Sequence, residues 1–213
     1  MDLRGGDTAA GVDGGDVERV MARVVYFSVD VEASGPVPAL YNLVSIGAVP
    51  IGRHEGTWHP EDGRFYVELR PIAPGFDPEA MAVHGIPRER LEKDGIPADE
   101  AMRRLALFVR ERLGGSGDRA VFVGHNAVFD WAYISYYFEI HRLPNPFGYK
   151  ALDIKSFAMG RLGIEWLDTS KEVLRTLLPS VPVQDAARAH RADYDAFYQA
   201  QIFCALLNLP RRA

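Results

Sequence analysis

The stretch Val24 to Gly35, VVYFSVDVEASG, sets two carboxylates one residue apart at the end of an apolar run. A short apolar run bounded by a turn signal reads as a buried central strand. Residues i and i+2 of a strand share a face, so Asp30 and Glu32 stand side by side. A buried charge without a partner is costly. Either the strand ends in solvent and the acids are incidental, or something positive sits beside them.

Outward from this strand, Gly35 and Pro36 mark a turn, and Leu40 to Ile51 (LYNLVSIGAVPI) reads as an antiparallel neighbour. Arg64 to Arg70 alternates as a third strand, and GRHEGTWHPEDG before it reads as a loop and hairpin tip. Asp77 caps a short helix that stops at Gly85. Met102, Leu105, Ala106 and Val109 keep helical spacing within a helix over 99–113. Ala120 to Gly124 (AVFVG) has the continuous apolar character of a parallel strand. Asn126 is placed to cap a helix running through Ile140, and further helices are expected to about Leu162, over 171–178 and from about Ala192 to Leu209. Hairpins first and interleaved helices afterwards predict an α/β fold, a mixed sheet flanked by helices.

With 213 residues, 47% of them hydrophobic, the chain can bury one sizeable core, assigned to residues 21–210. Residues 1–20 are glycine-rich and acidic and read as a disordered segment. The net charge of −5 argues against a broad basic surface for gripping duplexes. The single cysteine, Cys204, excludes an internal disulfide and a cysteine zinc site, and it fits a core helix position. No signal peptide and no apolar run of membrane length is found, so a cytoplasmic protein without membrane contact is expected.

Two further stretches carry acids in distinctive settings. In VFVGHNAVFDWAYI an apolar strand runs into a helix with Asp130 one turn in, between Phe129 and Trp131. In ARAHRADYDAFYQA, His190, Asp193 and Asp195 stand where the last helix starts. Each motif alone is compatible with solvated surface acids. Four carboxylates gathered in space would repel one another unless divalent cations neutralised them, and magnesium or manganese suits oxygen ligands. Two such ions can activate a water and stabilise the leaving oxygen of a phosphodiester. An imidazole titrates near neutral pH and can serve as base beside them.

Taken together, Asp30-Val31-Glu32, the run His125 to Asp130 and the pair His190 and Asp195 resemble the motifs of the DEDDh branch of the DnaQ-like 3'-to-5' exonucleases. Val83 to Ile86 (VHGI) resembles that family's segment between the first two motifs. The resemblance implies a ribonuclease H-like, mixed five-stranded sheet with helices on both faces. It implies that Asp30, Glu32, Asp130 and Asp195 hold two magnesium (or manganese) ions and that His190 deprotonates the attacking water. The expected substrate is the 3' end of single-stranded DNA or RNA, and the expected products are nucleoside 5'-monophosphates. A threonine often follows the family's first motif. Ala33, Ser34 and Gly35 stand there instead, and Ser34 and Gly35 are expected to face the terminal sugar. Arg188 and Arg191 flank His190 as candidate phosphate contacts, and Phe129 as a wedge against the terminal base. His125 is expected to brace the turn before Asp130. Three rival readings are a nucleic-acid-binding module with a decayed site, a metal phosphoesterase acting on small nucleotides, and a purely structural α/β domain. The apolar last helix leaves a homodimer open.

Overall fold

The structure is a computed structural model that describes residues 23–115 and 117–210. The disorder expected over 1–20 lies outside the described residues. Six strands occur among them: β1 (Val24–Ala33), β2 (Leu43–His54), β3 (Thr57–Pro60), β4 (Phe65–Glu68), β5 (Arg119–Gly124) and β6 (Ala151–Asp153). Seven α-helices accompany them: α1 (Pro78–His84), α2 (Arg88–Asp94), α3 (Ala98–Arg110), α4 (Ala127–Ile140), α5 (Ile154–Ala158), α6 (Lys171–Leu177) and α7 (Ala192–Asn208). The sheet order is β3-β2-β1-β5-β6, with β4 also on β2. β1 pairs antiparallel with β2 and parallel with β5, so the sheet is mixed as expected.

The count is six strands rather than five. β2 is twelve residues long, and its outer edge takes two short partners end to end, β3 opposite Ile51 to His54 and β4 opposite Ser45 to Ala48. Thr57–Pro60 therefore forms a strand within the segment read as a loop. Trp58 packs on the body there, its ring 5.5 Å from that of Tyr26.

Side-chain alternation divides β1 between two cores. Phe27, Val29 and Val31 join α3 and α4 on one face. The opposite face carries Tyr26, whose ring meets Phe203 of α7 at 5.3 Å, and the core of α5, α6 and α7. Asp30 and Glu32 fall on this second face, toward the ends of α6 and α7. Gly47 of β2 is required for the approach of α7, because a Cβ there would lie 2.0 Å from the Ala192 carbonyl. The apolar stripe of α7 is buried, so it offers no free face to a second copy.

Candidate active site

β5 keeps pace with β1 only as far as the pair Ser28 and Val123, leaving the edge of β1 beyond it without a strand partner. Unpaired buried backbone groups must find other partners. Two side chains supply them. Asp130 Oδ1 accepts the Val31 N–H at 2.9 Å. Gln199, fully buried on α7, donates its amide to the Val29 carbonyl at 2.8 Å and accepts the His125 N–H at 2.8 Å. One glutamine thus ties together the two diverging strands β1 and β5. His125 braces the turn as expected, with its ring Nε2 2.8 Å from the Thr169 carbonyl. Asn126 does not cap α4: its backbone is left-handed (φ 67°) and its side chain makes no capping bond. Asp153, at the end of β6, accepts the Ala127 N–H instead, at 2.9 Å.

On the other side, Asp195 sits in the first turn of α7 and is almost fully buried. Its Oδ2 accepts the His190 N–H at 2.8 Å, and its Oδ1 accepts the Gln184 amide at 2.7 Å. His190 is exposed and holds a left-handed backbone, φ 63°, before the helix. Asp30, Glu32, Asp130, Asp195, His190 and Phe129 all line a single cleft of about 700 Å³. Ligand atoms of Glu32, His190 and Asp195 lie within 4.8 Å of one another. Three segments far apart in sequence therefore meet in one place.

Their electrostatics show that negative charge is in excess, with the Lys171 ammonium offsetting only part of it. Burial, then repulsion from Asp195 and Asp130, pushes the Glu32 carboxyl up to about 8. Burial pushes Asp130 up to about 7 against the lowering bond from Val31. Asp30 is raised as well, by burial first and then by Asp130.

The chain matches the RNase T family of exonucleases over residues 27–203. The chain belongs to this family. It is 38% identical over 180 residues to the 3'-5' DNA exonuclease Cap18 of Escherichia coli, covering 84% of this chain and 89% of that protein. It is 28% identical over 187 residues to ribonuclease T of Klebsiella pneumoniae, covering 86% and 85%. Its fold resembles the nuclease domain of 3'hExo, a DEDDh family member, with a TM-score of 0.72 at 15% identity over 86% of this chain and 91% of that one. It also resembles E. coli exonuclease I in complex with a dT13 oligonucleotide, with a TM-score of 0.62 at 19% identity, over 87% of this chain and 41% of that one. The protein is thus an exonuclease, with the ribonuclease H-like fold that it shares with the 3'hExo nuclease domain.

Four of the residues expected to contact substrate lie off this cleft. Ser34 and Gly35 are buried, and neither lines the cleft. The Ser34 hydroxyl donates to the Gly75 carbonyl at 2.8 Å and accepts the Asn42 N–H at 2.8 Å, while the Gly35 carbonyl accepts the Tyr133 hydroxyl at 2.6 Å. These bonds turn both groups toward the strand end rather than the cleft. Arg188 and Arg191 do not line the cleft either. Arg188 lies over the Tyr194 ring at 4.6 Å, and Arg191 pairs with Asp193 at 3.3 Å. The cations on the cleft wall are Lys171 and Arg175 of α6. Their i, i+4 spacing places both on one helix face, a signal that was present in the sequence. Gln184 and Gln199 had no such local signal. No helix among the described residues is long and apolar enough to cross a membrane.

Proposed function

We propose that this exonuclease hydrolyses the terminal phosphodiester at the 3' end of single-stranded nucleic acid and releases nucleoside 5'-monophosphates. What supports the reading is the convergence of Asp30, Glu32, Asp130, Asp195 and His190 on one cleft. The donor set is carboxylate oxygens with one imidazole, which suits magnesium or manganese. The raised Glu32, Asp130 and Asp30 carboxyls are what a cluster built to receive positive charge would present. Asp30, Glu32, Asp130 and Asp195 would hold two divalent cations, which when bound neutralise the cluster and provide Lewis acidity toward the scissile phosphate.

The remaining steps belong to the protein's own groups. Phe129, half-exposed on the cleft wall, packs against the terminal base. His190 at the rim accepts the proton of the attacking water through its ring and later gives it to solvent. The water oxygen bonds to phosphorus as the bond from phosphorus to the 3'-oxygen of the preceding nucleotide breaks, and that oxygen leaves with the electron pair and takes a proton from solvent. Asp195 holds the backbone of His190, so base and carboxylate stay in register. The higher identity to a DNA exonuclease than to ribonuclease T favours DNA as the better substrate.

The test uses matched 5'-labelled single-stranded DNA, single-stranded RNA and blunt duplex with magnesium. A descending ladder on single strands, fastest on DNA and slow on duplex, is expected. Release of the 5' nucleotide first, or cleavage of a circular strand, would refute the polarity. Hydrolysis of mononucleotides alone would favour the small-nucleotide phosphoesterase. As part of the same proposal the protein acts in the cytoplasm. Whether two copies pair is decided by light scattering at micromolar concentration.

A further inference from the structure

Lys171 is the first residue of α6, and its helix start is fixed by Ser170, whose hydroxyl accepts the Val173 N–H at 3.2 Å. Its side chain is mostly buried and reaches into the carboxylate cluster, with Nζ 3.5 Å from Asp195 Oδ1. A lysine is rarely buried unless it is paired. Lys171 also lines the same cleft as Asp30, Glu32 and Asp130, so its ammonium faces the whole cluster. The same charge acts against the mutual repulsion of Asp30, Glu32 and Asp130. A surface ion pair at this distance would be worth little. This one is different, because the Lys171 and Asp195 side chains are both largely buried, so solvent screens the pair less.

We propose that Lys171 is a resident counter-ion that stands among the four carboxylates in place of a divalent cation until the ions enter. The inference rests on the two-cation reading of the site. Lys171 is a positioning residue in this role: it holds the α6 and α7 wall against the β1 and α4 wall through charge. Two consequences follow. Without metal, the ammonium relieves repulsion and stabilises the closed cluster. As metal enters, the ammonium must give way, so it weakens metal affinity. Once both ions are held, four carboxylates and two dications balance, and the lysine leaves the cleft with one positive charge beside an anionic phosphodiester.

The test measures manganese binding by the full chain without nucleic acid, using titration calorimetry or the loss of the free-ion electron paramagnetic resonance signal. Lys171→Met removes the charge and keeps much of the stem. Manganese should bind Lys171→Met about tenfold more tightly than the parent, the order expected for losing one close charge in a partly screened site. In chelator the variant should melt several degrees below the parent, and saturating manganese should erase that deficit. Lys171→Arg keeps the charge and should bind within about threefold of the parent. If Lys171→Met unfolds in chelator, Lys171→Gln at acidic pH, where the carboxyls are protonated, replaces it, with the same tightening expected as pH is raised in manganese. Equal or weaker manganese binding by the folded neutral variants overturns the proposal. So does equal tightening by Lys171→Arg, since that would mark a packing effect. In both cases the parent still binds metal and the two-cation reading stands. A parent that binds no manganese at millimolar concentration overturns both.

Discussion

Asp130 and Asp195 are buried to nearly the same degree, 5% and 4% exposed, yet they are held in different ways. Asp130 is fixed by regular structure. It stands on α4 and accepts a backbone N–H from β1. Asp195 is held by a loop and by side chains: the His190 N–H, the Gln184 amide and Lys171. The segment from Leu178 to Arg191 that supplies His190 and Gln184 contains no helix or strand. One wall of the cleft is therefore rigid, set by the sheet. The other is adjustable, assembled from groups that can move without breaking a ladder. On the proposed reading, the rigid wall would fix carboxylates that hold cations, and the other wall would carry the base.

The largest effect should come from the rigid wall. Asp30→Asn removes a charge and a ligand from the centre of the cluster, and no neighbouring loop can move to replace it. Turnover of a 5'-labelled single-stranded oligonucleotide should fall by at least about 10³-fold, or roughly 4 kcal/mol of transition-state stabilisation. Far-UV circular dichroism should be unchanged. A variant that keeps a tenth of parental activity would mean that the cluster is misassigned.

On the adjustable wall, His190→Ala should lower the chemical step by about 10² to 10⁴, the usual worth of a general base. Manganese binding should survive. The left-handed backbone at His190 adds a second readout. That conformation costs a residue with a Cβ about 1 to 2 kcal/mol, whereas glycine adopts it freely. His190→Gly should therefore be as slow as His190→Ala and yet melt higher, by a few degrees. Equal melting temperatures would show that the loop relaxes out of the left-handed state once the imidazole is gone.

The same contrast explains what the sequence disclosed. The apolar run of β1, the apolar AVFVG and the helical spacing of Met102, Leu105, Ala106 and Val109 are local patterns, and the strands and helix they predict are present. The gathering of the five proposed acidic and imidazole residues on one cleft was legible because each carries a short motif around it. Ser34 and Gly35 misled because the register of β1 and β2 shifts between Glu32 and Ala33, and this bulge turns the following residues into the protein. Arg188 and Arg191 misled for a related reason. The left-handed turn at His190 separates the directions of its neighbours, so adjacency in the chain did not give adjacency in the cleft. Gln199 was invisible because its partner, Val29, lies 170 residues away. Nothing local marks a glutamine that serves as a strand.

Gln199 offers a milder test of the rigid wall. Gln199→Leu fills a similar volume but leaves the Val29 carbonyl and His125 N–H buried without partners. Such orphaned groups cost about 1 to 3 kcal/mol. The melting temperature should fall by several degrees, and activity by about tenfold as β1 and the turn before α4 lose their spacing. An unchanged melting temperature would show that water or another side chain takes over both bonds. The rigid wall would then be less dependent on α7 than its geometry implies.

The smallest effect concerns pH and reads the charge of the rigid wall. Glu32 and Asp130, raised to about 8 and about 7 from ordinary values of 4.5 and 3.8, bind protons more tightly folded than unfolded. Their contribution to stability is full below the unfolded values, where both states are protonated. It is lost as pH rises through the folded values, where the native state must ionise against burial and repulsion. In chelator, the melting temperature should fall by several degrees between pH 5.5 and pH 8.5. Divalent cations bind the ionised carboxylates, so saturating magnesium should flatten or reverse that slope. Glu32→Gln removes one of the titrating groups and should remove part of the decline in chelator. Equal slopes with chelator and with magnesium would mean that the cations do not bind at these carboxylates. A decline unaltered in Glu32→Gln would place its origin in groups other than Glu32.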